Sequence, residues 1–131
     1  MSYLVDSDIL MSALNGRVPA ANLLRQHRNA GLSVSLVSVG EIYDGAMGSP
    51  EPDRELEVAR LFLTPFDLLT LDDAVMLQFA QLRVDLRGQG RLIPDFDLLI
   101  AATALAHDLT LITGNMRHFE RVPGLALESY G

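Results

Sequence analysis

The sequence predicts an α/β fold, a parallel sheet with helices on both faces. Three observations predict it. Short apolar runs alternate with longer segments of helical periodicity along the whole chain. The 131 residues suit one domain around one core, with no room for a second. Acidic or amide residues recur where an apolar run ends or a helix opens: Tyr3-Leu4-Val5-Asp6-Ser7-Asp8, Ser38-Val39-Gly40-Glu41, Pro94-Asp95-Phe96-Asp97 and Thr113-Gly114-Asn115. In a parallel α/β fold such ends gather on one edge of the sheet.

The elements follow in order. Residues 3–6 read as a short buried strand. Asp8 opens a short helix that stops at the turn signal Asn15-Gly16. Residues 18–29 read as a second helix, with Ala20, Leu23, Leu24 and His27 along one side and Gly31 at its end. Leu32 to Val37 is a second strand. Ser38 opens a helix to Met47, broken by Gly48-Ser49-Pro50. Glu51 to Leu63 is helical, with Leu56, Ala59 and Leu63 on one face, and Thr64-Pro65 stops it. Phe66 to Leu71 is a third strand. Asp72 caps a long helix to Arg87, and Gly88-Gln89-Gly90 is a loop. Residues 96–107 form a helix that is apolar nearly all round and so belongs inside, where Ala101, Ala102 and Ala104 allow a close approach. Leu109 to Thr113 is the fourth strand. A short helix near 115–119 and a weak strand near 125–128 complete the chain.

Composition narrows the classes of function. Hydrophobic residues make up 49% and mean hydropathy is +0.22, rich enough that a partner is expected to cover some apolar surface. No run approaches the ~20 apolar residues of a membrane span, and the N-terminus does not resemble a signal peptide. With no cysteine there is neither a disulfide nor a thiolate metal site, and a cytoplasmic location is the simplest expectation. A net charge of −7 argues against non-specific nucleic-acid binding. The ten basic residues are all arginine, whose fork suits phosphate. Arg17, Arg87, Arg91 and Arg117, in loops or at helix ends, are candidates for a local strip facing phosphate.

Carboxylates gathered on one sheet edge repel unless a divalent cation joins them, so the pattern predicts a metal-dependent hydrolytic site. Asp6 reads either as a ligand at a strand end or as a helix N-cap; Asp8 is the better cap, which frees Asp6. Glu41 completes a capping box with Ser38, or projects from the same edge as Asp6. Asp95 follows Pro94 where a cap belongs. Asp97 lies in the first turn of an apolar helix, where a lone carboxylate must face water, a partner or a metal. Asn115 is a turn cap, a neutral oxygen ligand or a water-positioning group. The three histidines lack metal spacing, and His118 is a candidate phosphate contact.

With these residues in place, the chain resembles a PIN domain of the VapC-type toxin branch. The resemblance rests on Leu4-Val5-Asp6-Ser7-Asp8, on Ser38-Val39-Gly40-Glu41-Ile42-Tyr43-Asp44-Gly45, on Asp97-Leu98-Leu99-Ile100-Ala101-Ala102-Thr103-Ala104, and on Leu111-Ile112-Thr113-Gly114-Asn115 with His118-Phe119. It covers nearly the whole chain as a single domain, 1–131. It implies a three-layer α/β/α PIN-like fold with a central parallel sheet of four to five strands. It also implies Asp6, Glu41 and Asp97 as the acidic triad and metal ligands, with Asn115 at a fourth position that is often aspartate. The implied cofactor is Mg2+ or Mn2+, held by Asp6 and Asp97 with Glu41 and Asn115 closing the site. The implied activity is endonucleolytic cleavage of RNA; the implied partners are a VapB-type antitoxin and a second copy in a homodimer.

Other readings fit less of the sequence. Asp6-Ser7-Asp8 also resembles the nucleophile motif of a capless haloacid-dehalogenase-type phosphatase, but Leu10 stands where threonine or valine is normal, and the chain has no lysine. A non-catalytic PIN-like binding module, or a PIN nuclease of RNA processing without an antitoxin, would share the fold.

Overall fold

A computed structural model describes residues 2–130 of the chain. The elements are β1 (Tyr3–Val5), α1 (Ser7–Leu14), α2 (Val18–His27), β2 (Leu32–Ser35), α3 (Leu36–Met47), α4 (Pro52–Leu63), β3 (Asp67–Leu69), α5 (Asp73–Gly88), α6 (Asp95–Ala106), β4 (Thr110–Ile112), α7 (Met116–Phe119) and β5 (Leu127–Glu128). All five strands are parallel, in the order β3-β2-β1-β4-β5. The N-terminal strand is therefore central. Its side chains alternate between two cores, as the pleat requires. Leu4 joins Leu111 with residues of α5 and α6, whereas Tyr3, Val5, Val34 and Ile112 join α1 to α4. This is the expected three-layer sandwich with five strands.

Register places the site. Val5 pairs with Ile112, so the two chains leave the sheet side by side. Asp6 N–H donates to Ile112 O at 2.9 Å, and Thr113 N–H donates to Glu128 O at 3.0 Å. Helix α6, with Leu98, Ile100, Ala101, Ala102 and Ala104 at no exposure, is buried as its composition predicts. Asp72 caps α5 as expected, accepting from Val75 N–H at 3.0 Å. Gly31, at φ +87°, makes the left-handed step from the 310 turn at 28–30 into β2. His27 closes the far side: Nδ1 bonds Leu23 O at 2.8 Å, Nε2 pairs with Glu128 of β5, and the ring meets Tyr3 edge-on.

Three expectations are corrected. Strand β2 ends at Ser35, and α3 begins two residues before Ser38, capped by the Ser35 hydroxyl, which accepts from Val37 N–H at 3.1 Å. Ser38 thus lies within the first turn, fully buried, and the capping box with Glu41 does not form. Asp6, not Asp8, is the N-cap residue of α1. Asp95 occupies the first helical position of α6, and Pro94 the cap. Arg17, Arg87, Arg91 and Arg117 are all exposed. Among the described residues, no helix is long and apolar enough to cross a membrane.

Candidate active site

Two hydrogen-bonded groups meet at the C-terminal edge of the sheet. The first centres on Asp6, 4% exposed. Its Oδ1 accepts from Ser7 N–H at 2.8 Å, and its Oδ2 from the Thr113 hydroxyl at 2.7 Å, across the β1–β4 pair. The Thr113 oxygen accepts in turn from Asn115 N–H at 2.9 Å. Ser7 Oγ lies 2.6 Å from Glu41 Oε1 and 2.8 Å from Ser38 Oγ. An ionised carboxylate only accepts, so the Ser7 proton belongs to Glu41 and Ser38 can supply its own to the other bond. Ser7 thereby ties β1's end to α3 through its side chain and to Asp6 through its backbone.

Asp8 reinforces this edge from outside. It accepts from Ile9 N–H at 2.7 Å and from Gly114 N–H at 3.0 Å. A Cβ on residue 114 would stand 2.8 Å from Asp8 Oδ2, closer than real Cβ atoms come, so glycine is what lets the loop approach.

The second group holds Asp97. Its Oδ2 lies 2.7 Å from His118 Nδ1, and Asn115 Nδ2 lies 2.9 Å from the same nitrogen. That nitrogen carries one proton at most, so it donates to Asp97 or accepts from Asn115, not both at once. With Asp97 ionised, it donates to Asp97. Asn115 is the N-cap residue of α7 but makes no side-chain capping bond. His118 thus binds Asp97, with the Asn115 amide standing beside the same nitrogen, and is not an isolated surface histidine.

The electrostatics single out Asp6. Burial pushes its carboxyl up to about 7, the Asp8 charge adds to the rise, and the bonds from Thr113 and Ser7 offset part of it. No ion pair to Asp6 forms among the described residues.

The structure therefore brings Asp6 and Glu41 together through Ser7, and Asp97 and Asn115 through His118; Thr113 links the halves. Among the described residues, no three histidine, aspartate or glutamate side chains converge closely enough to enclose an ion as they stand. The donor chemistry nevertheless fits a hard dication: oxygen ligands, no thiolate, and a buried carboxyl without a cationic partner. Ser7 and Thr113 were not singled out from the sequence. The available signal was a small polar residue at the end of each of two adjacent apolar strands. Asp95 stands apart, 2.9 Å from Arg83 in an exposed ion pair. Asp95→Ala should change stability by less than about 1 kcal/mol and leave activity intact; denaturant melts with activity measurements would check both.

Beside Glu41 opens a cleft of ≈ 610 Å3, whose walls include Asp44, Leu71, Phe96 and Leu99.

The PIN domain family matches residues 3–125. The chain belongs to the PIN domain family. Among relatives, this PIN domain is 34% identical over 131 residues to ribonuclease VapC2 of Haemophilus influenzae, covering 99% of this chain and 98% of that protein. It is equally similar, over the same shares, to the tRNA(fMet)-specific endonuclease VapC of Shigella flexneri. Among solved structures, it superposes on a chain of the VapBC2 complex of Rickettsia felis bound to a promoter DNA fragment, with a TM-score of 0.93, 26% identity and full coverage of both chains. The VapBC complex of Salmonella typhimurium, at 23% identity, TM-score 0.92, and 100% and 99% coverage, shares the fold.

Proposed function

We propose that this PIN domain is a metal-dependent endoribonuclease and the toxin of a toxin–antitoxin pair. The observation that carries the reading is the gathering of Asp6, Glu41, Asp97 and Asn115 on one sheet edge, in a chain similar end to end to ribonucleases.

Asp6 and Asp97 would hold Mg2+ or Mn2+, with Glu41 and Asn115 closing the site. When bound, such an ion supplies Lewis acidity toward the scissile phosphate and the attacking water. The chain's own residues set the geometry. Thr113 and Ser7 N–H fix the rotamer of Asp6. Ser7 aims Glu41, and His118 steadies Asp97. The substrate is RNA. The partner is a VapB-type antitoxin, in keeping with relatives solved as VapBC complexes, and the toxin pairs with a second copy. An apolar groove of ≈ 380 Å3 lined by Leu24, Phe62 and Phe66, with Arg25 and Arg28 beside it, offers surface for an acidic, amphipathic antitoxin segment.

Purified chain free of antitoxin, incubated with total RNA, should cleave it in Mn2+ or Mg2+. EDTA should stop cleavage, and excess Mn2+ should restore it. Cleavage persisting in EDTA would overturn the metal-dependent reading; no cleavage with any divalent ion would overturn the nuclease.

A further inference from the structure

The ≈ 610 Å3 cleft beside the carboxylates is unused by the chemistry above. The geometry points to a nucleobase subsite there: Phe96 stacks one base next to the scissile phosphate, and Asp44 reads that base's donor edge, favouring guanine. This assignment rests on the endoribonuclease reading of the site.

Phe96 is 57% exposed in the first turn of α6, one residue before Asp97. A large aromatic left open to water at that place is a ready stacking surface, and every base has a π face to offer it. Glu41 lines the cleft and is also bonded to Ser7, so the cleft and the acidic group share a wall. The volume lies within the ~300–1,000 Å3 of small-ligand clefts.

The remaining lining decides which part of an RNA enters. Leu71 and Leu99 are apolar, while Glu41 and Asp44 are the charged members. No arginine or histidine lines the cleft, so a phosphate would find no counter-charge and two carboxylates. An uncharged base suits both the apolar surface and the acceptors. A carboxylate accepts only. Of the four bases, guanine alone presents two adjacent donors, N1–H and the 2-amino group, to the two oxygens of one carboxylate. Adenine and cytosine offer a single amino group, and uracil a single ring N–H. Splayed, unstacked bases read on their Watson–Crick edges are how proteins usually recognise single-stranded RNA.

The test uses the full chain in EDTA, with fluorescently labelled oligouridylate and the same oligomer carrying one central guanosine, adenosine or cytidine. Binding is read by anisotropy. Wild type should bind the guanosine oligomer most tightly. Phe96→Ala should weaken its binding about 5- to 150-fold, the range of a lost base–aromatic stack, and Phe96→Trp should retain it. Asp44→Asn should erase the preference for guanosine over adenosine while RNA still binds. Thermal melts confirm that each variant is folded. Equal binding by wild type and Phe96→Ala overturns the subsite, and if that variant also loses affinity for the antitoxin, the cleft is a protein-docking surface instead. A folded wild-type chain that binds none of the oligomers overturns the ribonuclease reading itself, an outcome distinct from base-independent binding.

Discussion

Asp6→Asn is expected to stabilise the metal-free chain at pH 8 while, on the proposed function, lowering RNA cleavage by about 100-fold or more, since Asp6 would there hold the metal and its loss would remove several kcal/mol of transition-state stabilisation. The stability gain follows from proton linkage. A free aspartate ionises near 3.8, whereas burial holds Asp6 up to about 7. Below pH 3.8 both folded and unfolded chains keep the proton, and there is no penalty. Between 3.8 and 7 the unfolded chain ionises first, so stability falls as pH rises. Above 7 the full cost is present, on the order of 4 kcal/mol. Asparagine cannot ionise, although its amide group suits one of the two donors less well, so the net gain at pH 8 should be about 2 kcal/mol. Urea unfolding in EDTA at pH 4, 6 and 8 would show the variant's advantage shrinking as pH falls and reversing by pH 4, where the ionisation cost is gone and the poorer match to the two donors remains. A pH-independent gap would mean that Asp6 ionises freely in the fold. Adding Mn2+ should stabilise wild type and not the variant.

Ser7→Ala is the second large effect. The hydroxyl is the shared partner of Glu41 and Ser38, both on α3. Alanine leaves a carboxylate and a buried hydroxyl each short of a bond, a loss of about 2–3 kcal/mol. Glu41 would also be free to change rotamer, and misplacement of a site residue by about 1 Å can cost 10²-fold. Cleavage should therefore fall about 10- to 100-fold without a matching loss of RNA binding. Ser7→Thr, which keeps the hydroxyl, should recover most of both. Denaturant midpoints and single-turnover cleavage would decide it; wild-type values for Ser7→Ala would reduce the contact to an incidental one.

The layered fold was readable because apolar runs and helical periodicity alternate so regularly, and the carboxylates were readable because a parallel sheet brings strand ends together. What failed were choices between neighbours of like chemistry. Ser33-Val34-Ser35-Leu36-Val37-Ser38 offers two serines with equal claims to cap, and β-branched Val37 reads as strand. Sheet pairing ended the strand at Ser35, so the helix began early and Ser38 turned inward. Asp6 and Asp8 both suit an N-cap, and only the β1–β4 register, which sets Thr113 beside Asp6, decides between their roles. Ser7, Thr113 and His118 draw their importance from partners 34, 107 and 21 residues away, and a local pattern can mark such residues as polar at a strand or helix end without naming those partners.

The bond from Thr113 to Asp6 has a consequence for synthesis. The central strand β1 leaves the ribosome long before β4, its neighbour on one side. A contact spanning 107 residues must await everything that lies between its partners, and such non-local closures are slow to form. Until residues 113–118 emerge, Asp6 has no Thr113, and Asp97 has neither His118 nor Asn115 beside it. A nascent or truncated chain is therefore without a complete site. On the proposed function, the site would be assembled only after residue 118 is free of the ribosome, and an antitoxin already present would have the interval between β1 and α7 in which to meet the chain.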